Sequence, residues 1–139
     1  MSDYHSKIVE LFKKDFGQIL LEGDDTTFEL IKKNVIVTVS TDMNEITVHC
    51  NGWHGHFKDY EDVYENGTPI DNPEKDYQIA KETVGKLLNK DIVTIDCFFK
   101  NIWKISTISE KGKTKEKIEK ILKENNIDEV FVNNQLLDK

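Results

Sequence analysis

His49-Cys50-Asn51-Gly52-Trp53-His54-Gly55-His56-Phe57 restricts what this chain can fold into more than any other stretch. Asn-Gly between two alternating arms is the strongest local signal for a two-residue β-hairpin, whose type I′ form needs positive φ at both central residues. Taken literally, the turn pairs residues whose numbers add to a constant, so Cys50 faces Trp53, His49 faces His54 and Ile46 faces Phe57. Ile46, Val48, Cys50, Trp53, Gly55 and Phe57 then share one face, and Glu45, Thr47, His49, His54, His56 and Lys58 share the other. A slip of one residue would mix the two sets, so the pattern fixes the register as well as the hairpin.

The flanking segments extend this into an α+β fold with a mainly antiparallel β-sheet, an N-terminal helix, a central helix and a short C-terminal helix. Ile8, Leu11, Phe12 and Phe16 have helical spacing over about residues 4 to 16, with Ser2 or Asp3 as cap and Gly17 as stop. Thr27 to Lys32 and Val35 to Val39 are β-branched and alternate around Lys33-Asn34, which reads as two strands and a turn. Asp59 to Asn72 is acidic and turn-rich and reads as a loop. Asn72-Pro73-Glu74 opens a helix over about 73 to 90, with Tyr77, Ala80, Val84, Leu87 and Leu88 as its apolar stripe. Ile92 to Phe99 and Ile102 to Ile108 form either a hairpin or one long bent strand, because alternation is imperfect across Lys100-Asn101. Thr114 caps a short helix carrying Ile118, Ile121 and Leu122, and Glu129 to Leu136 reads as a final strand.

At 139 residues the chain is expected to be one domain, residues 1–139, that buries about two-thirds of its extended surface. Apolar residues make up 37% and charged ones 32%, the balance of a folded domain with a strongly charged surface. No apolar run approaches the roughly 20 residues that span a bilayer, so no membrane partner is expected. The first residues open a charged amphipathic segment rather than a secretion signal, and Cys50 and Cys97 are then expected to be reduced core residues of a cytoplasmic protein. All 19 basic residues are lysine and the net charge is −7, which removes the guanidinium chemistry of phosphate and base recognition and argues against nucleic-acid binding.

Five features bear on chemistry. His49, His54 and His56 lie on one face, close enough to converge on a divalent metal with an acidic residue or water completing the shell, or to form a polar surface. Asp59, Glu61, Asp62 and Glu65, interleaved with Tyr60, Tyr64 and Tyr77, read as a solvated loop or as a recognition surface for a basic protein partner, and lack the oxygen-ligand spacing of a calcium loop. Cys50 and His49, adjacent on a strand, point to opposite faces and do not form a nucleophile–base pair. Asp96 within an apolar strand is either a buried acid or a sheet-surface residue. Gly112-Lys113-Thr114 lacks the upstream glycine of a phosphate loop, since position 107 is Thr107, and no cofactor motif is present.

Trp53-His54-Gly55-His56-Phe57, followed by an acidic loop, a helix and a β-rich half, resembles small bacterial immunity proteins of polymorphic toxin systems. The resemblance covers about a third of the chain and implies a non-enzymatic cytoplasmic protein that neutralises a toxin by binding it. The leading expectation is therefore a protein-binding module with Asp59, Tyr60, Glu61, Asp62, Tyr64 and Glu65 at its partner surface. A metal-binding protein or metal-dependent enzyme built on the histidines, and an accessory subunit that pairs through a sheet edge, are the alternatives; the oligomeric state is open.

Overall fold

The computed structural model describes residues 3–59, 64–65, 68–69 and 71–137. It is an α+β fold in which helix α1 (Asp3–Phe16) and helix α2 (Pro73–Leu88) pack on one face of a five-stranded antiparallel sheet. That sheet runs in chain order through β1 (Leu20–Glu22), β2 (Thr27–Lys32), β3 (Val35–Ser40), β4 (Ile46–Cys50) and β5 (Trp53–Phe57). Two short paired strands follow, β6 (Tyr64–Glu65) and β7 (Thr68–Pro69), and after α2 come β8 (Ile92–Phe99) and β9 (Ile102–Glu110). Helix α3 (Thr114–Glu124), β10 (Glu129–Val132) and β11 (Gln135–Leu136) complete the chain, giving a second antiparallel sheet ordered β11-β10-β8-β9. Among the described residues no helix is long and apolar enough to cross a membrane.

Alternation decides which face of the first sheet meets the helices. Phe28, Leu30, Val37, Val39, Ile46 and Val48 are completely buried, as are Ile8 and Phe12 of α1 and Ala80 and Val84 of α2. Phe12 sits edge-on to Tyr77 at 4.7 Å and to Phe28 at 5.3 Å, so one ring joins both helices to the sheet. Burying such a ring contributes about 1.5–3 kcal/mol. A second cluster holds Ile118 of α3 against Ile95, Cys97 and Val130.

Helix α2 starts where Asn72 accepts the Lys75 amide at 3.2 Å and Pro73 occupies the first turn. It ends in a Schellman arrangement: Lys90 takes φ 62°, its amide bonds to Leu87 and the Asp91 amide bonds to Lys86. A lysine there occupies the left-handed position that glycine usually fills.

Four expectations are corrected. Glu129 to Leu136 is a hairpin rather than one strand, because Asn133 and Asn134 both take left-handed φ (48° and 65°) and fold β11 back on β10. The acidic stretch is not entirely loop, since β6 pairs with β7 within it. Thr114 does not cap α3: it is the first helical residue, and its hydroxyl donates to the carbonyls of Glu110 and Lys111. Residues 20–22 add an edge strand, β1, where no strand was expected. The hairpin-or-bent-strand alternative resolves as a hairpin turning at Lys100 and Asn101, both left-handed. Its alternation is imperfect because Cys97 pairs with Ile105 and Phe98 with Trp103, which leaves Lys104 as an extra residue in a β-bulge.

A buried carboxylate ties the helices to the sheet. Asp76, completely buried, accepts the Tyr4 hydroxyl at 2.6 Å and the Asp59 amide at 2.7 Å, and pairs with the Lys58 ammonium at 3.4 Å. Lys58 also donates to the Asn44 carbonyl and to Asp71, each at 2.8 Å. Burial disfavours the ammonium, but its bonds to Asp71 and Asp76 hold its pKa above the usual value. Burial and the Asp76 bond likewise push the Tyr4 phenol far up. Asp76→Ala would leave Lys58 and Tyr4 without that partner, and we expect a loss of about 3–5 kcal/mol in urea denaturation. Tyr4→Phe, which removes one donor from the buried carboxylate, should cost about 1.5–3 kcal/mol.

Candidate functional site

The Asn51-Gly52 turn brings the histidines together in the expected register. Cys50 faces Trp53, His49 faces His54 and Ile46 faces Phe57. The turn differs from the type I′ expectation: Asn51 is left-handed at φ 53°, whereas Gly52 is not. Glycine is required at 52 by space, since a Cβ there would lie 2.2 Å from the Asp96 carboxylate. The Asn51 side chain donates to the Thr94 hydroxyl at 2.6 Å, so the tip of the hairpin is fastened to the second sheet.

His49, His54 and His56 are exposed on the face of the first sheet that the helices leave uncovered. The rings of His49 and His54 are 5.5 Å apart and those of His54 and His56 5.3 Å apart. His56 Nδ1 lies 3.0 Å from both the Glu45 carboxylate and the Thr47 hydroxyl, which commits that nitrogen to the sheet surface. Among the described residues no group of three or more His, Cys, Asp or Glu is placed to hold a metal ion. The same open face carries Leu21, Ile31 and Ile36, all substantially exposed, and a cross-strand row runs Leu21, Glu29, Thr38, His49, His54.

The acidic segment leaves β5 directly. Asp59 is half-buried; its amide bonds to Asp76 and its carboxylate lies 3.6 Å from Lys75, so it anchors the segment as well as charging it. Tyr60, Glu61 and Asp62 lie outside the described residues; Tyr64 and Glu65 are placed in β6 as backbone. Tyr77 is not part of this surface: it is 2% exposed and its hydroxyl bonds to Asp15. Burial and that bond push its phenol well above the ordinary range.

Both thiols are free and buried. Burial, reinforced by the charge of Asp96, pushes Cys50 up to about 11 and raises Cys97 as well, which suits structural rather than nucleophilic cysteines. Asp96 is the buried acid of the two readings given above, at 5% exposure.

The functional residues that sequence reasoning missed are those of the Asp76 knot. A signal was present: Asp76 falls one turn before Ala80 and two before Val84, on the buried stripe of α2, where a carboxylate must have partners. No protein-family model matches the chain, and no match emerges among curated proteins or solved structures.

Burial lowers the pKa of His49, helped by His54 and His56, and burial also lowers that of His5, a helix residue bonded to Thr41 at 2.6 Å. For a histidine with a lowered folded pKa the unfolded chain takes up the proton first, so stability falls as pH drops below the ordinary value of 6.5 and stops falling once the folded pKa is passed. The urea midpoint should therefore decrease between about pH 7.5 and pH 5, and His49→Asn should flatten that slope. Asp15 and Asp24, lowered chiefly by hydrogen bonds from Tyr77 and from Thr26, lose their contributions only below their ordinary value of 3.8, outside this window. At about pH 8 a thiol near 11 is only about 0.1% thiolate. Neither cysteine should react with a thiol reagent until guanidinium unfolds the chain, when both should.

Proposed function

We propose that this chain is a protein-binding module that docks a basic protein partner through its acidic segment, most specifically an immunity-like inhibitor of a toxin acting in the cytoplasm. One observation carries the reading: the segment is clamped at both ends to the same buried carboxylate. Asp59 enters through its amide on Asp76, and Asp71 at the far end is joined to Asp76 through Lys58. A recognition segment fixed at its base loses less conformational freedom on binding than a free loop of equal length. The net charge of −7 adds long-range attraction for a basic surface.

Glu61, Asp62 and Glu65 steer the encounter in this reading, with Asp59 holding the base, while Tyr60 and Tyr64 supply short-range anchoring area. The buried, free thiols of Cys50 and Cys97 suit a reducing compartment.

The test begins with capture of the partner from the native cell and its identification by mass spectrometry, followed by association kinetics against salt concentration. Changing Glu61, Asp62 and Glu65 together to their amides should slow association about tenfold at low salt and flatten its salt dependence. Tyr60→Ala or Tyr64→Ala should act on dissociation instead. Association kinetics unchanged by the triple substitution would remove the segment from the interface.

A further inference from the structure

Asp96 belongs to the face of the second sheet turned away from α3. Ile95 and Cys97 pack with Ile118, so their neighbours in the alternation, Thr94, Asp96 and Phe98, point the other way, toward the tip of the β4–β5 hairpin. Asp96 pairs in register with Ser106 on one side and Phe131 on the other, and Phe98 pairs with Trp103. The rings of Phe98 and Phe131 meet edge to face at 5.5 Å. These residues surround a cavity of about 160 Å³ whose lining is Gly52, Asp96, Phe98, Trp103, Phe131 and Asn134.

A hydrogen-bond relay beside that cavity runs toward Asp96. The Trp103 indole donates to the Ser106 hydroxyl at 2.7 Å, and the Ser106 hydroxyl donates to Oδ1 of Asp96. Among the described residues Ser106 alone donates a hydrogen bond to this carboxylate, Oδ2 takes none, and no lysine or histidine pairs with it. A carboxylate 95% removed from solvent, with one oxygen unmatched and three aromatic side chains beside it, is short of one positive partner. Aromatic faces and a buried carboxylate favour the same ligand charge, because ring quadrupoles attract cations.

We propose that this cavity is a binding site for an organic cation on a narrow alkyl stem, the chemistry of a lysine side chain or a small free amine, with Asp96 as counter-ion and Phe98, Trp103 and Phe131 as the aromatic wall. The size agrees: drug-sized ligands need about 300–1,000 Å³, whereas this cavity of about 160 Å³ is on the scale of a small amine or one side chain. Gly52 lines the cavity next to Oδ1, where a Cβ would lie 2.2 Å from that oxygen. The site is separate from the acidic segment, and its test uses amines alone, so either assignment can fail without the other.

The probes are N-acetyl-lysine methylamide, n-butylammonium and the uncharged N-acetyl-norleucine methylamide, titrated while the Trp103 indole and Gly52 amide signals are followed by nuclear magnetic resonance. At least one of the two cations should bind saturably, with a dissociation constant on the order of 1–10 mM for so small a ligand. The norleucine derivative should bind at least tenfold more weakly, and Asp96→Asn should weaken the cation at least tenfold. Tighter binding of the lysine derivative than of butylammonium assigns the site to a partner's side chain; the reverse order assigns it to a free amine. No saturable shift with either cation, or equal binding of the norleucine derivative, would overturn the site. If Asp96→Asn does not fold, the lysine–norleucine comparison on the unaltered protein decides.

Discussion

A carboxylate with no solvent exposure is tolerable only when its surroundings replace the water it has lost, and at Asp76 three separate parts of the chain do so. Tyr4 arrives from α1, the Asp59 amide from the end of β5, and Lys58 from the residue between that amide and the strand. Asp76 itself stands in the first turn of α2, where the helix dipole favours a negative charge. The apolar contacts around Phe12 and Val84 bury the inner faces of the helices and sheet but are not directional in the way a hydrogen-bonded charge is. The carboxylate adds directional contacts, since its bonds to Tyr4, Lys58 and the Asp59 amide constrain α1, α2 and the hairpin's exit together. Replacement by a shape-matched apolar residue would remove that restriction along with its desolvation cost.

The joint between the two sheets follows the same logic on a smaller scale. Asn51 reaches Thr94 and Gly52 closes against Asp96, so the turn that orders the first sheet also sets its distance from the second. A turn whose second position faced only solvent would accept many residues there. Here one extra carbon would collide with an oxygen and a hydroxyl at 2.2 and 2.7 Å.

Local pattern was enough to read the helices, the β2–β3 turn and the β4–β5 register from the residues, because each rests on interactions within a dozen positions. Lys100-Asn101 and Asn133-Asn134 were harder: they adopt the same left-handed pair of conformations as a glycine-containing turn, without the glycine that announces it. The extra residue at Lys104 then scrambled the alternation that would have revealed the first of these hairpins. Asp76 and Asp96 show the other limit. Asp76 lies on the stripe that periodicity marks as buried, whereas Asp96 alternates with Ile95 and Cys97 and its burial is not readable from the pattern; the partners come from 72 residues away for Tyr4 and from a neighbouring strand for Ser106, and no local rule pairs them. The histidine face was readable as a face; the commitment of His56 to Glu45 and Thr47 depends on rotamers the sequence does not encode.

The bulge at Lys104 has a further consequence for how this molecule coexists with copies of itself. β9 is the outer strand of its sheet, nine residues long, and carries exposed Ile102 and Trp103 at one end. A flat edge of that length and character is a template for unwanted strand addition and aggregation. The inserted lysine breaks the hydrogen-bonding repeat at the apolar end of the strand and places a charge there, so an incoming strand meets a kink where the surface is stickiest. The irregularity that obscured the hairpin in the sequence thus acts as a guard on the edge it interrupts.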